Sequence, residues 1–267
     1  MSPVHNRETP SQIRSERMLR LLQLVSDRGE VHLRDLTDEL DASAATIRRD
    51  VSALAAQGLL VRTHGGAKAL PSRHELPTSL RDGHNQEAKR AIAQAAVAAL
   101  PGGQHSIALS GGTTTLEVMR ALEHRQDLTI ITTSVALGVE AAQHDRHRVL
   151  IAGGVLRPAS MELVGSLTDC TFRQVHVGTA ILGCDGATAE NGITTHDQVE
   201  ASTNLVMMQQ ANRVICVADG SKIGTTTQAQ MADMSMVDLL ITDVSADPVE
   251  LGRIRAQGVT VKVVTLP

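Results

Sequence analysis

From Ser106 to Val264 the chain alternates short apolar runs with segments of helical spacing. The runs are Ser106–Leu109, Leu128–Thr132, Arg148–Ile151, Val175–Ile181, Val214–Ala218, Leu239–Thr242 and Val259–Val264. Strands that alternate with helices build a largely parallel sheet with helices on its faces, so this part of the chain is predicted to be an α/β domain. A helix from Glu87 to Leu100, with Ala88, Ile92, Ala95, Ala96 and Ala99 inward, leads into it and is stopped by Pro101-Gly102-Gly103. In sheets of this kind a ligand sits beyond the carboxyl ends of the strands.

Those ends carry a consistent chemistry. Ser110-Gly111-Gly112-Thr113-Thr114-Thr115 follows the first strand and opens a helix through Leu116, Val118, Met119 and Leu122. Glycines free backbone N–H groups, hydroxyls add donors and a helix N-terminus favours negative charge, so the natural guest is a phosphate. The alternative is a glycine-rich connector with a threonine cap. Thr132-Thr133-Ser134 repeats the hydroxyl pattern after the second strand, and Gly153-Gly154 follows the third. Gly183-Cys184-Asp185-Gly186 follows the fourth. Asp219-Gly220-Ser221-Lys222 follows the fifth, with a carboxylate for sugar hydroxyls and a cation for phosphate. Each alone reads as a surface turn; their convergence on one end of a sheet argues for a site.

Ahead of this domain lies a different pattern. Met18, Leu21, Leu22 and Val25 give an apolar stripe on a helix from about Ser11 to Asp27, closed by Gly29. Val31 and Leu33 suit a short strand, and Leu33, Leu36 and Leu40 mark a second helix. Asp41-Ala42-Ser43 turns into a third helix, whose Ile47, Val51 and Leu54 fall at i, i+4 and i+7. Ser43 is placed to cap it. Its other face presents Ala45, Thr46, Arg48, Arg49 and Ser52: small residues where a groove wall comes close, and guanidinium forks for phosphate or a guanine edge. A short helix, a tight turn and a recognition helix make a helix-turn-helix. Gly58 to Ala67 then alternates Val61 and Thr63 with Arg62 and His64 before Gly65-Gly66, which reads as a β-hairpin wing whose Arg62 and His64 reach phosphate or the minor groove. The competing readings are a surface helix with solvated arginines and a plain covering hairpin. Asp50 would be repelled by DNA, so it is expected to orient an arginine.

Composition narrows the partner. Phe172 is the only aromatic residue, which removes the ring-stacking grip used on single strands and leaves duplex DNA. Residues 1–74 hold 11 Lys/Arg against 9 Asp/Glu and the remainder 14 against 20, so a DNA claim rests on where charge lies rather than on its sum. Cys170, Cys184 and Cys216 are too scattered for a disulfide framework or a zinc site and fit a reducing cytoplasm. Neither a signal peptide nor a membrane span is expected, and no cofactor or metal is implied. The expected organisation is a winged helix-turn-helix at 11–68, a Pro- and Gly-marked linker at 69–85 with Pro71, Pro77 and Gly83, and the α/β domain at 86–267, after a polar and disordered stretch at 1–10.

Two sets of residues resemble a known family. Leu36 to Leu40, Ser43, Thr46-Ile47-Arg48-Arg49-Asp50, Gly58-Leu59-Leu60 and Arg62-Thr63-His64-Gly65-Gly66-Ala67 resemble the N-terminal domain of DeoR-type bacterial transcriptional regulators. The second half resembles the effector domain of that family, a Rossmann-like fold shared with ribose-5-phosphate isomerase and CoA transferases. The resemblance implies DNA contacts by Thr46, Arg48 and Arg49. It also implies a sugar-phosphate site at Gly112-Thr113-Thr114, Thr133-Ser134 and Ser221-Lys222. The isomerase's Asp-Gly-Ala-Asp motif stands as Asp185-Gly186-Ala187-Thr188, and its spaced Lys and Glu stand as Asn191 and Glu200. Binding groups persist while proton-transfer groups are eroded. Relatives commonly carry Asp at Ser110 and Asn at Ser134, so the effector does not transfer from any one of them.

The function expected is therefore a DNA-binding regulator, by family default a repressor of a carbohydrate operon, working as a dimer or tetramer and released by a phosphorylated sugar or related metabolite. The expected effector contacts are Ser110, Gly112, Thr113, Thr114, Thr115, Thr133, Ser134, Gly154, Asp185, Gly186, Glu200, Asp219 and Lys222. The rivals are an enzyme, for which Ala189-Glu190-Asn191-Gly192 faintly resembles the CoA-transferase nucleophile motif, and a DNA-binding protein whose second domain only oligomerises.

Overall fold

The computed structural model describes residues 10–70, 75–82, 84–143 and 147–266. Residues 1–9 of the polar N-terminal stretch, and Pro71 and Gly83 of the expected linker, lie outside the described residues. The chain divides into two compact units, Met1–His84 and Asn85–Pro267.

The first unit runs α1 (Pro10–Arg28), β1 (Glu30–His32), α2 (Leu33–Glu39), α3 (Ala44–Ala56), β2 (Val61–Arg62), β3 (Gly66–Lys68) and α4 (Thr78–Arg81). Met18, Leu21 and Val25 of α1 meet Leu36 of α2 and Ile47, Val51 and Leu54 of α3 in one buried cluster. Leu33, expected both in a strand with Val31 and in the second helix with Leu36 and Leu40, opens α2. Its N–H bonds the Gly65 carbonyl at 2.7 Å, which ends the strand there and leaves Leu36 to enter the core. The wing is antiparallel in the order β1-β3-β2. Thr63 N donates to Gly66 O across its turn at 3.1 Å. Gly66 is glycine for a steric reason: a Cβ there would lie 2.0 Å from the Val31 carbonyl oxygen of β1. Within the span expected as linker, α4 lies against α1 and buries Leu80 in the same cluster.

The second unit begins with α5 (Gln86–Ala98), β4 (His105–Leu109), α6 (Thr113–Ala121), β5 (Leu128–Thr132), α7 (Val135–Ala142) and β6 (Arg148–Ile151). A hairpin follows, β7 (Val155–Arg157) and β8 (Glu162–Val164), then α8 (Ser166–Arg173), β9 (Thr179–Gly183), β10 (Gly186–Thr188), β11 (Gly192–Thr195) and α9 (Gln198–Gln209). The chain closes with β12 (Val214–Val217), β13 (Ala229–Ala232), β14 (Leu239–Asp243), α10 (Pro248–Ala256) and β15 (Thr260–Val264). Among the described residues seven strands form one sheet in the order β15-β14-β12-β9-β4-β5-β6, and every pair in it is parallel. Side chains alternate between its faces. Ile107, Leu109, Ile130, Ile181 and Ile241 enter one cluster with α5 and α6 residues such as Ile92 and Val118. Ala108, Ile131, Ala180, Leu182 and Leu240 enter the other, with Phe172 of α8 and Met207 of α9.

Six of the seven expected strands stand within a residue or two of their predicted bounds. The fourth starts later, at Thr179, because Val177 is taken by a separate bridge to Ala211. The chain order in the sheet reverses between β4 and β9. In a doubly wound sheet this reversal splays the following loops apart and opens a crevice at the carboxyl ends.

Candidate recognition face and effector site

The candidate recognition face is built by α3. Ser43 stands in extended conformation before it and accepts the Thr46 N–H at 3.2 Å, an N-cap that fixes where the helix starts. Asp41 holds the turn at φ 44, a left-handed conformation that Asp tolerates better than most residues. Burial of Ile47, Val51 and Leu54 turns Ala45, Arg48 and Arg49 to solvent, with Thr46 half-buried beside them. Asp50 is 1% exposed. It accepts Arg14 Nε at 3.3 Å and Arg17 Nε at 2.7 Å, both from α1. The carboxylate next to the two exposed arginines thus orients arginines, as expected, but those of another helix. On the wing, Arg62 and His64 are exposed, and Arg62 Nη1 lies 3.3 Å from the Ser52 hydroxyl of α3.

The candidate effector site is built at the crevice. Gly112 adopts φ 124, a conformation open to glycine, and turns the chain from β4 into α6. Ser110 Oγ accepts Gly183 N–H at 3.1 Å and so ties the loop after β4 to the last residue of β9. Glu162 of β8 places one oxygen, Oε1, on Gly111 N at 2.6 Å and on Thr133 Oγ1 at 2.7 Å, tying in the loop after β5. Thr195 Oγ1 lies 3.1 Å from Asp185 Oδ2 and 2.7 Å from Glu200 Oε1. Arg157 of β7 then reaches Glu200 Oε2 at 3.1 Å and Asp197 Oδ2 at 3.4 Å. Lys222 Nζ stands 3.7 Å from Asp185 Oδ1. Asp219 is 3% exposed and accepts Asn85 Nδ2 at 3.0 Å and Ser221 N at 3.1 Å. Burial alone would raise the Asp219 pKa, but hydrogen bonds from Ser221 and Asn85 and the charges of Lys222 and Lys89 outweigh it and hold the carboxyl below its ordinary range. Asp197 is likewise lowered: burial opposes ionisation, and the Glu200 N–H and Arg157 favour it more. The Cys184 thiol, 3.7 Å from Cys216 Sγ, is pushed well above its ordinary value by that hydrogen bond and by burial.

Residues 84–244 match the DeoR C terminal sensor domain, and residues 17–73 match the DeoR-like helix-turn-helix domain. The chain belongs to the DeoR family of transcriptional regulators. It is 36% identical over 248 residues to the HTH-type transcriptional regulator GlpR of Haloferax volcanii, covering 92% of this chain and 96% of that one. It is 30% identical over 223 residues to the glycerol-3-phosphate regulon repressor of Escherichia coli K12, covering 84% and 88%. Among solved structures, ribose 5-phosphate isomerase A of Methanocaldococcus jannaschii aligns with 52% of this chain and 54% of its own, at TM-score 0.39 and 19% identity.

The DeoR-family chain gathers most of its sequence-predicted site residues, in differing roles. Ser110, Gly112, Thr113, Thr114, Thr133, Asp185, Glu200, Asp219 and Lys222 lie in or beside the network at the strand ends. Thr115 is fully buried and bonds the Gly112 carbonyl at 3.0 Å. Ser134 caps α7, accepting Leu137 N at 3.3 Å. Gly154 and Gly186 are packing positions, where a Cβ would fall 2.1 Å from the Thr168 hydroxyl and 2.3 Å from the Thr225 carbonyl. Thr188 and Asn191 line a cavity of about 540 Å³ with Glu190, Thr226, Glu250 and Arg253. Glu190 is exposed there, in the turn after β10. Glu162 and Arg157 were not anticipated. Both sit in three-residue strands with no alternation to announce them, and a lone charged residue beside Pro158 gives no signal.

Proposed function

We propose that the DeoR-family chain represses a carbohydrate-metabolism operon and leaves its operator when a phosphorylated sugar or related metabolite enters the crevice between the loops after β4 and β9. The observation that carries this reading is the arrangement of α3. Arg48 and Arg49 are exposed on a capped helix while Asp50, the charge that would repel DNA, is buried against Arg14 and Arg17. In this reading Ser43, Ala45, Thr46, Arg48 and Arg49 meet the major groove, and Arg62 and His64 meet phosphate or the minor groove. The effector contacts come from Ser110, Gly112, Thr113, Thr114, Thr115, Thr133, Ser134, Gly154, Asp185, Gly186, Glu200, Asp219 and Lys222. The units act as a winged helix-turn-helix at 11–68, a connecting segment at 69–85 and a sensing and oligomerising domain at 86–267.

Binding without catalysis suits the site better than turnover. Glu200, the residue matched to an isomerase acid, is held by Thr195 and Arg157 on both oxygens. The name of the Escherichia coli relative, a glycerol-3-phosphate regulon repressor, agrees with a phosphorylated effector. The protein works in the cytoplasm, where its operator lies, as a dimer or tetramer that sets two winged helices on one operator. No helix among the described residues is long and apolar enough to cross a membrane. Effector binding favours an arrangement that fits DNA less well, and a tenfold loss of DNA affinity needs only about 1.4 kcal/mol of differential binding.

The test has two arms. Genomic fragments captured by the protein supply the operator, and a thermal-shift panel of sugar phosphates supplies the effector. Lys222→Ala or Thr114→Ala keeps operator affinity and blunts release. A double variant that is still fully released contradicts the pocket. No stabilisation by any phosphorylated compound favours a second domain that only oligomerises.

A further inference from the structure

We propose that Glu162 is a resident anion, a carboxylate built into the sensor site that holds the phosphate donors until the effector displaces it. This rests on the effector reading above and adds to it a mode of regulation: recognition by exchange, in place of binding to an open cradle.

The donors a phosphate would use are already engaged. Glu162 Oε1 accepts both the Gly111 N–H, at 2.6 Å, and the Thr133 hydroxyl, at 2.7 Å. Those groups belong to the loops after β4 and β5, beside the point where the sheet order reverses. The residue is 3% exposed, so the charge sits in a poorly screened setting where such bonds are strong. The loop is shaped around this side chain. A Cβ on Gly111 would fall 2.3 Å from Glu162 Cγ and 2.5 Å from its Cδ, so the glycine there admits Glu162 as well as freeing its own N–H.

The backbone that delivers the carboxylate is held on purpose. Met161 stands at φ 57, a left-handed conformation sparsely populated by residues with a Cβ and kept only where the surroundings over-determine it. Two backbone bonds do so, Val135 N to Met161 O at 3.0 Å and Leu163 N to Thr133 O at 2.8 Å. They clamp β8 across the loop after β5.

A phosphate cannot share this position. Two anions on the same amide repel one another in a buried site, and one oxygen of Glu162 already takes both donors. A phosphate brings more charge and three acceptor oxygens, so it can win the exchange. Its apparent affinity is lowered by the fraction of molecules in which Glu162 has left the donors.

Glu162→Gln separates charge from shape, because the amide oxygen can accept the same two bonds without the negative charge. The full-length chain and this variant are titrated calorimetrically with inorganic phosphate and with a fixed panel of triose, pentose and hexose phosphates. The expected result is that Glu162→Gln binds the responding compound about tenfold more tightly than the unaltered chain. Equal or weaker binding by the variant overturns the resident-anion role and leaves the effector reading standing. If neither protein binds any phosphorylated probe while circular dichroism shows both folded, both ideas fall. A crystal structure of the unaltered chain with the responding compound gives a reading that does not depend on the variant. Gly111 N should bond a phosphate oxygen with Glu162 moved off it; Gly111 N still on Glu162 overturns the proposal.

Discussion

The two units handle polar side chains in opposite ways. The first sorts them by charge: Arg48 and Arg49 go to solvent, and the acid beside them is spent inside on Arg14 and Arg17. The second gathers them. Ser110, Glu162, Asp185, Thr195, Glu200 and Asp219 are all buried and bonded to one another or to loop amides. A recognition face assembled like the first can lose its ligand-binding side chains and stay folded. A site assembled like the second is also part of what holds its loops in place, so changes to binding and to stability should arrive together.

The sharpest way to break this contrast is Asp50→Ala. It removes the buried acceptor of two charge-assisted hydrogen bonds, one of them from the half-exposed Arg14, and should lower the stability of the first unit by about 2–3 kcal/mol. With no Trp or Tyr in the chain, hydrogen exchange is the suitable readout. Faster exchange should be confined to α1, α2 and α3; unchanged exchange there would show that the buried pair is dispensable. The double variant Arg48→Ala, Arg49→Ala should do the reverse. Operator affinity by fluorescence anisotropy should fall about 100-fold, with the melting curve unmoved. Intact affinity would mean that α3 is not the reading element.

In the second unit, Thr195→Val removes the hydroxyl between Asp185 and Glu200 and should cost about 1–2 kcal/mol of stability along with weaker effector binding. Loss of one without the other would undo the claim that site and scaffold coincide. The smallest effect is in acid. Because the Asp219 pKa is lowered on folding, the stability gained from Asn85, Ser221 and the nearby lysines is complete above the ordinary carboxylate value of 3.8 and is lost as pH falls through the lowered pKa. Asp219→Asn should flatten the acid limb of the melting profile by its share. A limb identical to that of the unaltered chain would assign acid sensitivity elsewhere.

The same contrast decides what could be read in advance. The cap of Ser43 on Thr46 spans three residues and the stripe Ile47, Val51, Leu54 spans seven, so α3 was legible from a short window of text. The parallel strands were legible too, because each buried strand is an apolar run complete in itself. The sensor network joins positions far apart: Gly111 to Glu162 across 51 residues, Ser110 to Gly183 across 73, Asn85 to Asp219 across 134. Nothing local marks such a partner. Gly111 and Thr133 were recognisable as donors, but the acceptor between them, Glu162, becomes visible only when β7 and β8 fold over the end of β5.

The ion pairs of Asp50 carry a consequence for genetics. Arg14 and Arg17 lie on α1 and hold an acid in the core, yet α3 is seated partly through them. A screen for lost operator binding will therefore return substitutions at α1 positions that touch no base. Read without the fold, those alleles would draw a DNA footprint wider than the true one.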